Sequence, residues 1–370
     1  MNYNHVKYAV LILVGILLSL TTRCSSPPAQ TKGGVPVVIQ ELEDTSEETY
    51  QEEVPPDFEP MELYYADGIL PVSEFKEVWG YLMVGRESAI NSSLPVSDLV
   101  YFGAEVDSYG KLVDVPSFSK IPSSFRGRKH LVVACNSRSL THFTLIEGRP
   151  EREALIRDLL AEARPYDGLQ IDFEMVPARD GELFLSFLRE LRSGLGNKIF
   201  SIALPARTRR LQDDVYDYAK IKPIVDRILV MAYDEHWSTS APGPIASMAW
   251  CQRVARYSLD TIGPEKLIMG LPFYGRSWGS ENVNIAHVHS QIENLKKARN
   301  IEEIQRENSI PTFKYTMPLS VTVFYEDAHS LSTRMDLYKK MGVNSVGFWR
   351  LGQETPAFWP YIKLESASSR

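Results

Sequence analysis

Polar and apolar residues alternate along one short segment, and two of the polar residues are carboxylates. The segment is Tyr166–Val176, YDGLQIDFEMV. Side chains of a β-strand point to opposite faces in turn, so Gln170, Asp172 and Glu174 would share one face. A buried carboxylate needs a partner or a function, and two neighbouring acids raise each other's pKa. The spacing therefore indicates acid–base chemistry, and a polar ladder that only satisfies its own hydrogen bonds is the alternative.

Eight short apolar runs alternate with amphipathic helical patterns in residues 61–370. The predicted strands are Glu77–Val84, Leu99–Val106, His130–Cys135, Leu169–Glu174, Phe200–Leu204, Arg227–Tyr233, Leu267–Pro272 and Ser345–Trp349. The predicted helices include Glu151–Arg164, Gly181–Gly194, Met248–Leu259 and Asp327–Met341. This alternation predicts an α/β fold, a (β/α)8 TIM barrel whose active site lies at the C-terminal ends of the strands.

A doubly wound open sheet is the alternative to the barrel, but no Gly-rich phosphate loop follows the first strand. Residues 279–326 are longer than a simple connection. We expect them to form a small insertion between the seventh strand and the last helix, with one strand-like piece at Ser320–Tyr325 and a local hairpin around it. Glu174 ends the fourth predicted strand, which is where a barrel places catalytic residues.

Several motifs in strand order resemble glycoside hydrolase family 18, the chitinase-like enzymes. Residues 167–174, DGLQIDFE, resemble the family signature D-G-x-D-x-D-x-E. Residues 231–234, MAYD, are similar to M-x-Y-D, and residues 270–276, GLPFYGR, to G-x-P-x-Y-G-R. Trp349 ends the eighth strand like the tryptophan under the family's sugar pocket, and residues 79–81, WGY, resemble its first strand. The match spans nearly all of residues 75–355.

The resemblance implies a retaining glycosidase in which the substrate's own N-acetyl oxygen is the nucleophile. Glu174 would be the general acid, with a pKa raised by burial and by the charge of Asp172. Asp172 would orient the acetamido N–H and stabilise the developing positive charge. Tyr233 would hydrogen-bond the acetamido oxygen and place it for attack. No cofactor is implied.

The resemblance also implies residues that bind the sugar. Asp234 would contact the distorted pyranose ring, and Trp349 would form an apolar floor under it. Tyr81 could line the pocket. Arg276 could bind substrate or simply pair with an acid. The partner would be a glycan containing N-acetylglucosamine, cleaved at β-1,4 linkages.

Gln170 departs from the family pattern, which has an aspartate at this position. An amide here is similar to the spore peptidoglycan N-acetylglucosaminidase branch, which often carries Asn. Gln170 cannot titrate, but its amide can hydrogen-bond Asp172. We therefore expect chemistry to survive with a lower rate or a shifted pH profile.

Residues 1–24 read as an export signal. Lys7 precedes the thirteen uncharged residues Tyr8–Leu20, too short a run for a spanning helix, and Cys24 follows. This resembles a bacterial lipoprotein signal in which Cys24 is lipidated, although Arg23 stands where a small residue is usual. The alternative is a plain cleaved signal or an uncleaved anchor. We expect an extracytoplasmic envelope protein, anchored or secreted.

Residues 25–60 are typical of a disordered tether. Nine acidic residues and no Lys or Arg lie between positions 36 and 60, so like charges extend the segment. A specific binding tail is the alternative. The chain's formal charge is −7, of which residues 1–35 contribute +3 and residues 36–60 contribute −9. Residues 61–370 therefore carry only −1, and the negative charge of the chain belongs to the tether. Nothing in this balance suggests a nucleic-acid partner, and we expect a monomer.

Metal and cysteine chemistry have little support in the sequence. His287 and His289 form an H-x-H in the insertion, away from the carboxylate strand, and the other histidines have no ligand spacing. Cys135 and Cys251 are expected to be buried small residues. Two other functions remain open. One is a catalytically silent lectin-like barrel, kept open by Gln170 and opposed by Glu174. The other is a barrel phosphodiesterase or metal hydrolase, which lacks ligands here.

Overall fold

The computed structural model describes residues 58–63, 65, 69–280, 285–316 and 320–366. These residues belong to one compact unit, Phe58–Arg370. The predicted signal, Cys24 and nearly all of the predicted tether lie outside the described residues. Within the described residues, no helix is long and apolar enough to cross a membrane.

The described elements are sixteen strands and seven α-helices. The strands are β1 Ser73–Phe75, β2 Glu77–Met83, β3 Asp98–Val106, β4 Leu112–Val113, β5 Arg128–Cys135, β6 Gly168–Phe173, β7 Ile199–Pro205, β8 Arg227–Met231, β9 Leu267–Pro272, β10 Tyr274–Gly279, β11 Ile285–Val288, β12 Gln305–Glu307, β13 Ile310–Thr316, β14 Ser320–Phe324, β15 Ser345–Trp349 and β16 Ile362–Leu364. The helices are α1 Arg138–Leu145, α2 Pro150–Glu162, α3 Gly181–Gly194, α4 Tyr218–Ile221, α5 Met248–Thr261, α6 His289–Arg299 and α7 Ala328–Lys340.

Eight parallel strands close into a barrel in the order β2, β3, β5, β6, β7, β8, β9, β15. Pairing of β15 with β2 and of β2 with β3 completes the ring. All eight are the strands predicted from sequence, with ends that differ by at most two residues. The (β/α)8 barrel is therefore confirmed. Helices do not follow every strand: the described connections after β2, β3 and β15 contain 3-10 turns but no α-helix.

Two apolar layers follow from strand alternation. Outward side chains pack under the helices, and Phe173 of β6 stacks on Phe184 and Phe187 of α3 with ring centroids 6.4 and 5.5 Å apart. Inward side chains fill the barrel itself with a second cluster. That cluster comprises Trp79, Tyr81, Val100, Phe102, Val132, Ala134, Ala203, Leu229 and Ile268. The barrel is thus a packed core, and the cleft can open only at its mouth.

Charged residues at the N-terminal strand ends tie the bottom of the barrel together. Glu77 at the start of β2 accepts hydrogen bonds from Arg227 at 2.9 and 3.0 Å and from Arg128 at 2.7 Å. Arg128 also donates a hydrogen bond to Asp98, and His130 Nε2 lies 2.8 Å from Asp98 Oδ1. The arginines hold the pKa of Glu77 below its usual value against the effect of burial, which raises it. This network supports stability rather than chemistry, because it lies at the end opposite the mouth.

The insertion is larger than predicted. Strands β10–β14 form a separate five-stranded antiparallel sheet that begins at Tyr274 rather than near residue 279. Strand β10 directly follows β9, so the last residues of the GLPFYGR motif belong to this sheet. Two residues after β14, Glu326 is 4% exposed and forms a buried ion pair with Arg334 of α7 at 2.9 Å, so Glu326 serves packing.

Residues 58–63 and 65 lie against the barrel's outer helices. Gln252 of α5 accepts a hydrogen bond from Met61 N at 2.7 Å and donates to the Glu59 carbonyl at 3.2 Å. Arg253 stacks over the Phe58 ring at 5.3 Å. Short strands β1 and β16 pair in parallel, which ties residues 73–75 to residues 362–364.

Candidate active site

Strand β6 delivers the carboxylates to the mouth of the barrel. All six of its residues are buried, with Gln170 0% and Asp172 6% exposed. Glu174 follows the last residue of β6, and its side chain opens to solvent in the cleft. The predicted row of inward polar residues is therefore present, and solvent exposure increases along it from Gln170, which is fully buried, to Glu174, which is exposed.

Both carboxylates bind protons more tightly than isolated acids. Burial, followed by the charge of Glu174, raises the pKa of Asp172 well above its usual range. The pKa of Glu174 is raised first by loss of hydration between the walls of the mouth, although its side chain still reaches solvent, and then by the charge of Asp234. The charge expected from Asp172 is thus supplied by Asp234. Together, Asp172 and Glu174 keep a proton at a pH at which two separate carboxyl groups would have lost it.

Gln170 does not hydrogen-bond Asp172, so that part of the sequence prediction is wrong. Its amide oxygen accepts from the Tyr81 hydroxyl, and its amide nitrogen donates to Ser201 Oγ at 3.1 Å. Gln170 is buried beneath the cleft and fixes Tyr81 from below. Asp172 Oδ1 is buried with no hydrogen-bond partner in the described part of the chain. An orphaned acceptor of this kind is costly unless a ligand supplies the donor.

The end of β8 provides two more of the predicted residues. Tyr233 is half-buried, and burial is the main cause that raises its pKa well above 10, with Tyr81 next. Asp234 is exposed and has a left-handed backbone, with φ 57°. Its Oδ1 accepts from the Tyr274 hydroxyl at 2.6 Å and from Arg276 at 3.2 Å.

Arg276 and Tyr274 come from β10 and hold Asp234. The Arg276 side chain is only 14% exposed, and its ion pair with Asp234 fits the alternative in which it pairs with an acid. Tyr274 was not singled out from the sequence, although it stands inside the GLPFYGR motif. Its ring lies edge-on to Tyr233 with centroids 6.4 Å apart, so one residue contacts both Tyr233 and Asp234.

Trp349 is the last residue of β15. It is half-buried, and its indole contacts Tyr81 at 5.4 Å and Phe102 at 5.1 Å between ring centroids. These aromatic rings support the indole from below. A half-exposed indole over a buried aromatic layer is a suitable floor for the apolar face of a pyranose ring.

Tyr216 is a supporting residue that sequence reasoning missed. Its hydroxyl accepts from Val176 N at 2.9 Å and donates to the Phe173 carbonyl at 3.0 Å. These two residues flank Glu174, so Tyr216 clamps the turn that carries it. A tyrosine in the long connection after β7 has no spacing that relates it to β6, and only the barrel brings them together.

The residues considered for metal or thiol chemistry do not join the site. His287 Nε2 lies 2.9 Å from Ser277 Oγ within the insertion sheet, and His289 begins α6. Among the described residues, no group of three or more His, Cys, Asp and Glu could hold a metal ion. Cys135 and Cys251 are free and buried, as predicted, and burial raises the pKa of each thiol to about 11.

Known proteins share both sequence and fold with this chain. The Bacillus subtilis protein named sporulation-specific glycosylase YdhD is 32% identical over 215 residues, covering 54% of this chain and 50% of YdhD. The cortical fragment-lytic enzyme of Bacillus anthracis is 26% identical over 301 residues, covering 74% of this chain and 70% of that enzyme. The chain thus spans about half of the length of YdhD.

The spore cortex-lytic enzyme SleL of Bacillus cereus has a similar solved structure. It superposes with a TM-score of 0.69 at 23% identity, over 82% of this chain and 77% of SleL, which shows a shared fold. The sequence profile of glycosyl hydrolases family 18 matches residues 136–354, more than half of the chain. That range contains the carboxylate strand β6, the end of β8 and Trp349, and the chain therefore belongs to glycosyl hydrolase family 18.

Proposed function

We propose that this protein hydrolyses β-1,4 linkages next to N-acetylglucosamine in peptidoglycan, with retention of configuration. The observation that carries the proposal is the pair at the end of β6. Glu174 is accessible and its pKa is raised, and the buried Asp172 Oδ1 below it has no hydrogen-bond donor in the described part of the chain. A bound N-acetyl sugar would supply that donor through its acetamido N–H.

Glu174 acts as the acid in the first step. The acetamido carbonyl oxygen of the sugar forms a bond to the anomeric carbon while the glycosidic C–O bond breaks, and Glu174 gives its proton to the leaving oxygen. Asp172 Oδ1 accepts the acetamido N–H, and this hydrogen bond stabilises the oxazolinium ion that forms. Tyr233 positions the acetamido oxygen at the half-buried end of β8. Asp234 and Trp349 hold the pyranose ring.

Glu174 acts as a base in the second step. Its carboxylate takes a proton from water, the water oxygen bonds to the anomeric carbon, and the acetamido C–O bond opens again. Two displacements on the same carbon leave its configuration unchanged. The raised pKa of Glu174 suits both roles, because the carboxyl group that gives its proton in the first step must take one back in the second.

Peptidoglycan is the favoured polymer because of the named relatives. The cortical fragment-lytic enzyme and the spore cortex-lytic enzyme SleL are proteins whose names refer to the spore cortex. Chitin and N-glycans contain the same N-acetyl sugar and are the competing substrates.

The test is turnover by the purified protein and by Glu174→Gln on peptidoglycan strands and on chitooligosaccharides. Removing the general acid should lower kcat by roughly 10²–10⁴-fold while saccharide binding persists. No turnover by the parent protein on either glycan, with binding intact, would support the lectin-like alternative and reject the enzyme. A loss of only a few-fold in Glu174→Gln would reject the role of Glu174.

We also propose that the protein is held at the outer side of a membrane through Cys24. The support is the apolar run Tyr8–Leu20 followed by Cys24 and an acidic segment suited to a spacer. Metabolic labelling with a palmitate analogue should mark the parent protein and not Cys24→Ser, and Cys24→Ser should leave the membrane fraction. Equal labelling of both proteins, or of neither, would reject lipidation at Cys24.

A further inference from the structure

Two arginines lie at the ends of neighbouring barrel strands. Arg86 follows β2 and Arg350 follows β15 directly after Trp349, and these strands pair in parallel. Leu351 N donates to the Tyr81 carbonyl at 2.9 Å, which binds the connection after β15 to β2. The connection after β2 and the connection after β15 also approach each other farther along the chain, since a Cβ built on Gly352 would lie 3.3 Å from the Ala89 Cβ. The two arginines thus belong to one edge of the mouth.

Neither guanidinium has a carboxylate partner within the part of the chain that the structure describes. The acids in the same connections are engaged elsewhere. Glu87 accepts from the Tyr101 hydroxyl and from Gly85 N at 3.0 Å. Glu354 accepts from Gly352 N at 2.7 Å.

The charges of the two arginines are therefore uncompensated. Burial, followed by the charge of Arg86, lowers the pKa of Arg350. A half-buried cation beside a second cation is unfavourable in the free protein. An anion bound between them would remove this cost and would gain charge-assisted hydrogen bonds from two planar forks.

We propose that Arg86 and Arg350 form a binding site for a carboxylate carried by the glycan, at the edge of the cleft beside Trp349. This proposal rests on the proposed function and narrows its substrate class to acidic N-acetyl glycans. A carboxylate matches the geometry of a guanidinium fork. Chitin carries no carboxylate, whereas N-acetylmuramic acid carries a lactyl carboxylate when peptide-free and stem-peptide carboxylates otherwise.

The experiment compares dissociation constants for four glycans of equal length in the Glu174→Gln background, where hydrolysis is strongly slowed. They are a peptide-free muramic tetrasaccharide, the same molecule with its lactyl carboxyls amidated, a tetrasaccharide bearing stem peptides, and chitotetraose. The peptide-free glycan should bind more tightly than its amidated form. Adding Arg350→Gln should weaken binding of the peptide-free carboxylated glycan by a factor about tenfold larger than for the two neutral glycans, the amidated tetrasaccharide and chitotetraose.

The control is Arg157→Gln, which removes the same charge from the outer face of α2, where Arg157 is 71% exposed. It should shift no dissociation constant, and thermal melting should show that all variants fold. Tighter binding of the peptide-free strand would assign the site to the lactyl carboxylate. Tighter binding of the peptide-bearing strand would assign it to the stem peptide.

Two results would overturn the proposal. Equal weakening for all four glycans upon Arg350→Gln would mean that Arg350 only supports Trp349. No preference for either carboxylated glycan over chitotetraose would mean that there is no anion site. Failure of the glycosidase proposal is distinguishable, because it would appear as absence of turnover by the protein with Glu174 intact while these binding constants remain measurable.

Discussion

Asp234, which is predicted to contact the sugar, also interacts with the predicted acid Glu174. Its carboxylate is held by Tyr274 and Arg276, and its charge raises the pKa of Glu174. A residue predicted only to contact substrate therefore also helps to set the protonation of the acid. Strand alternation finds Glu174 and a motif finds Asp234, but neither reveals that these two side chains interact.

Replacing Asp234 by Asn should move the pH profile of kcat. A general acid works while protonated, so activity falls as pH rises through the pKa of Glu174. Loss of the neighbouring negative charge lowers that pKa, so the alkaline limb should shift to lower pH. We expect a decrease in kcat/KM of roughly tenfold near neutral pH, because a hydrogen bond to a charged group is also lost.

The control for this measurement is Asp158→Asn, the same change on the outer face of α2. Its pH profile should match that of the parent protein. An alkaline limb of Asp234→Asn that stays in place or moves upward would contradict the electrostatic role assigned to Asp234.

At the scale of elements, the turn after β6 holds the acid. Glu174 N donates to the Cys135 carbonyl at 3.0 Å, which ties the turn to β5. Met175 has a left-handed backbone with φ 61°, an uncommon conformation for a residue with a Cβ. Tyr216 bonds the backbone on either side of Glu174. The end of β5 and the connection after β7 therefore both hold the backbone that carries Glu174.

Tyr216→Phe removes the hydroxyl that clamps this turn and should lower kcat with little change in KM. Two hydrogen bonds to the backbone, worth about 1 kcal/mol each, are lost. Because Glu174 is then less well positioned, we expect kcat to fall roughly tenfold. Steady-state kinetics on a chitooligosaccharide or glycan strand would measure both constants.

Tyr166→Phe is the matched control for the turn. Tyr166 is also buried and donates to a backbone carbonyl, that of Pro116, at 2.8 Å, but it precedes β6 and lies away from the mouth. Both variants should lose stability on melting, with the larger loss in Tyr216→Phe because it removes two hydrogen bonds and Tyr166→Phe removes one. If both also lose the same activity, or neither loses any, Tyr216 does not position Glu174.

At the scale of the whole molecule, local patterns predict the barrel and long-range contacts complete it. The eight strands were visible because each is a short apolar run, and β6 because its faces differ. The pairing of Glu77 with Arg227 spans 150 residues, and β1 and β16 have only three residues each. Such contacts have no local signal. The insertion sheet was underestimated because β10 begins a single residue after β9, inside the GLPFYGR motif, and only Ser320–Tyr325 was predicted as a strand in the insertion.

The central claim is that one acid, Glu174, works with the substrate's own acetamido group. It is tested most directly by proton NMR of a chitooligosaccharide or peptide-free muramic glycan during the first minutes of hydrolysis. Retention predicts that the newly formed reducing end appears as the β-anomer and only later equilibrates with the α-anomer. Initial release of the α-anomer would contradict the account, because it requires direct attack by water and a second carboxylate as base.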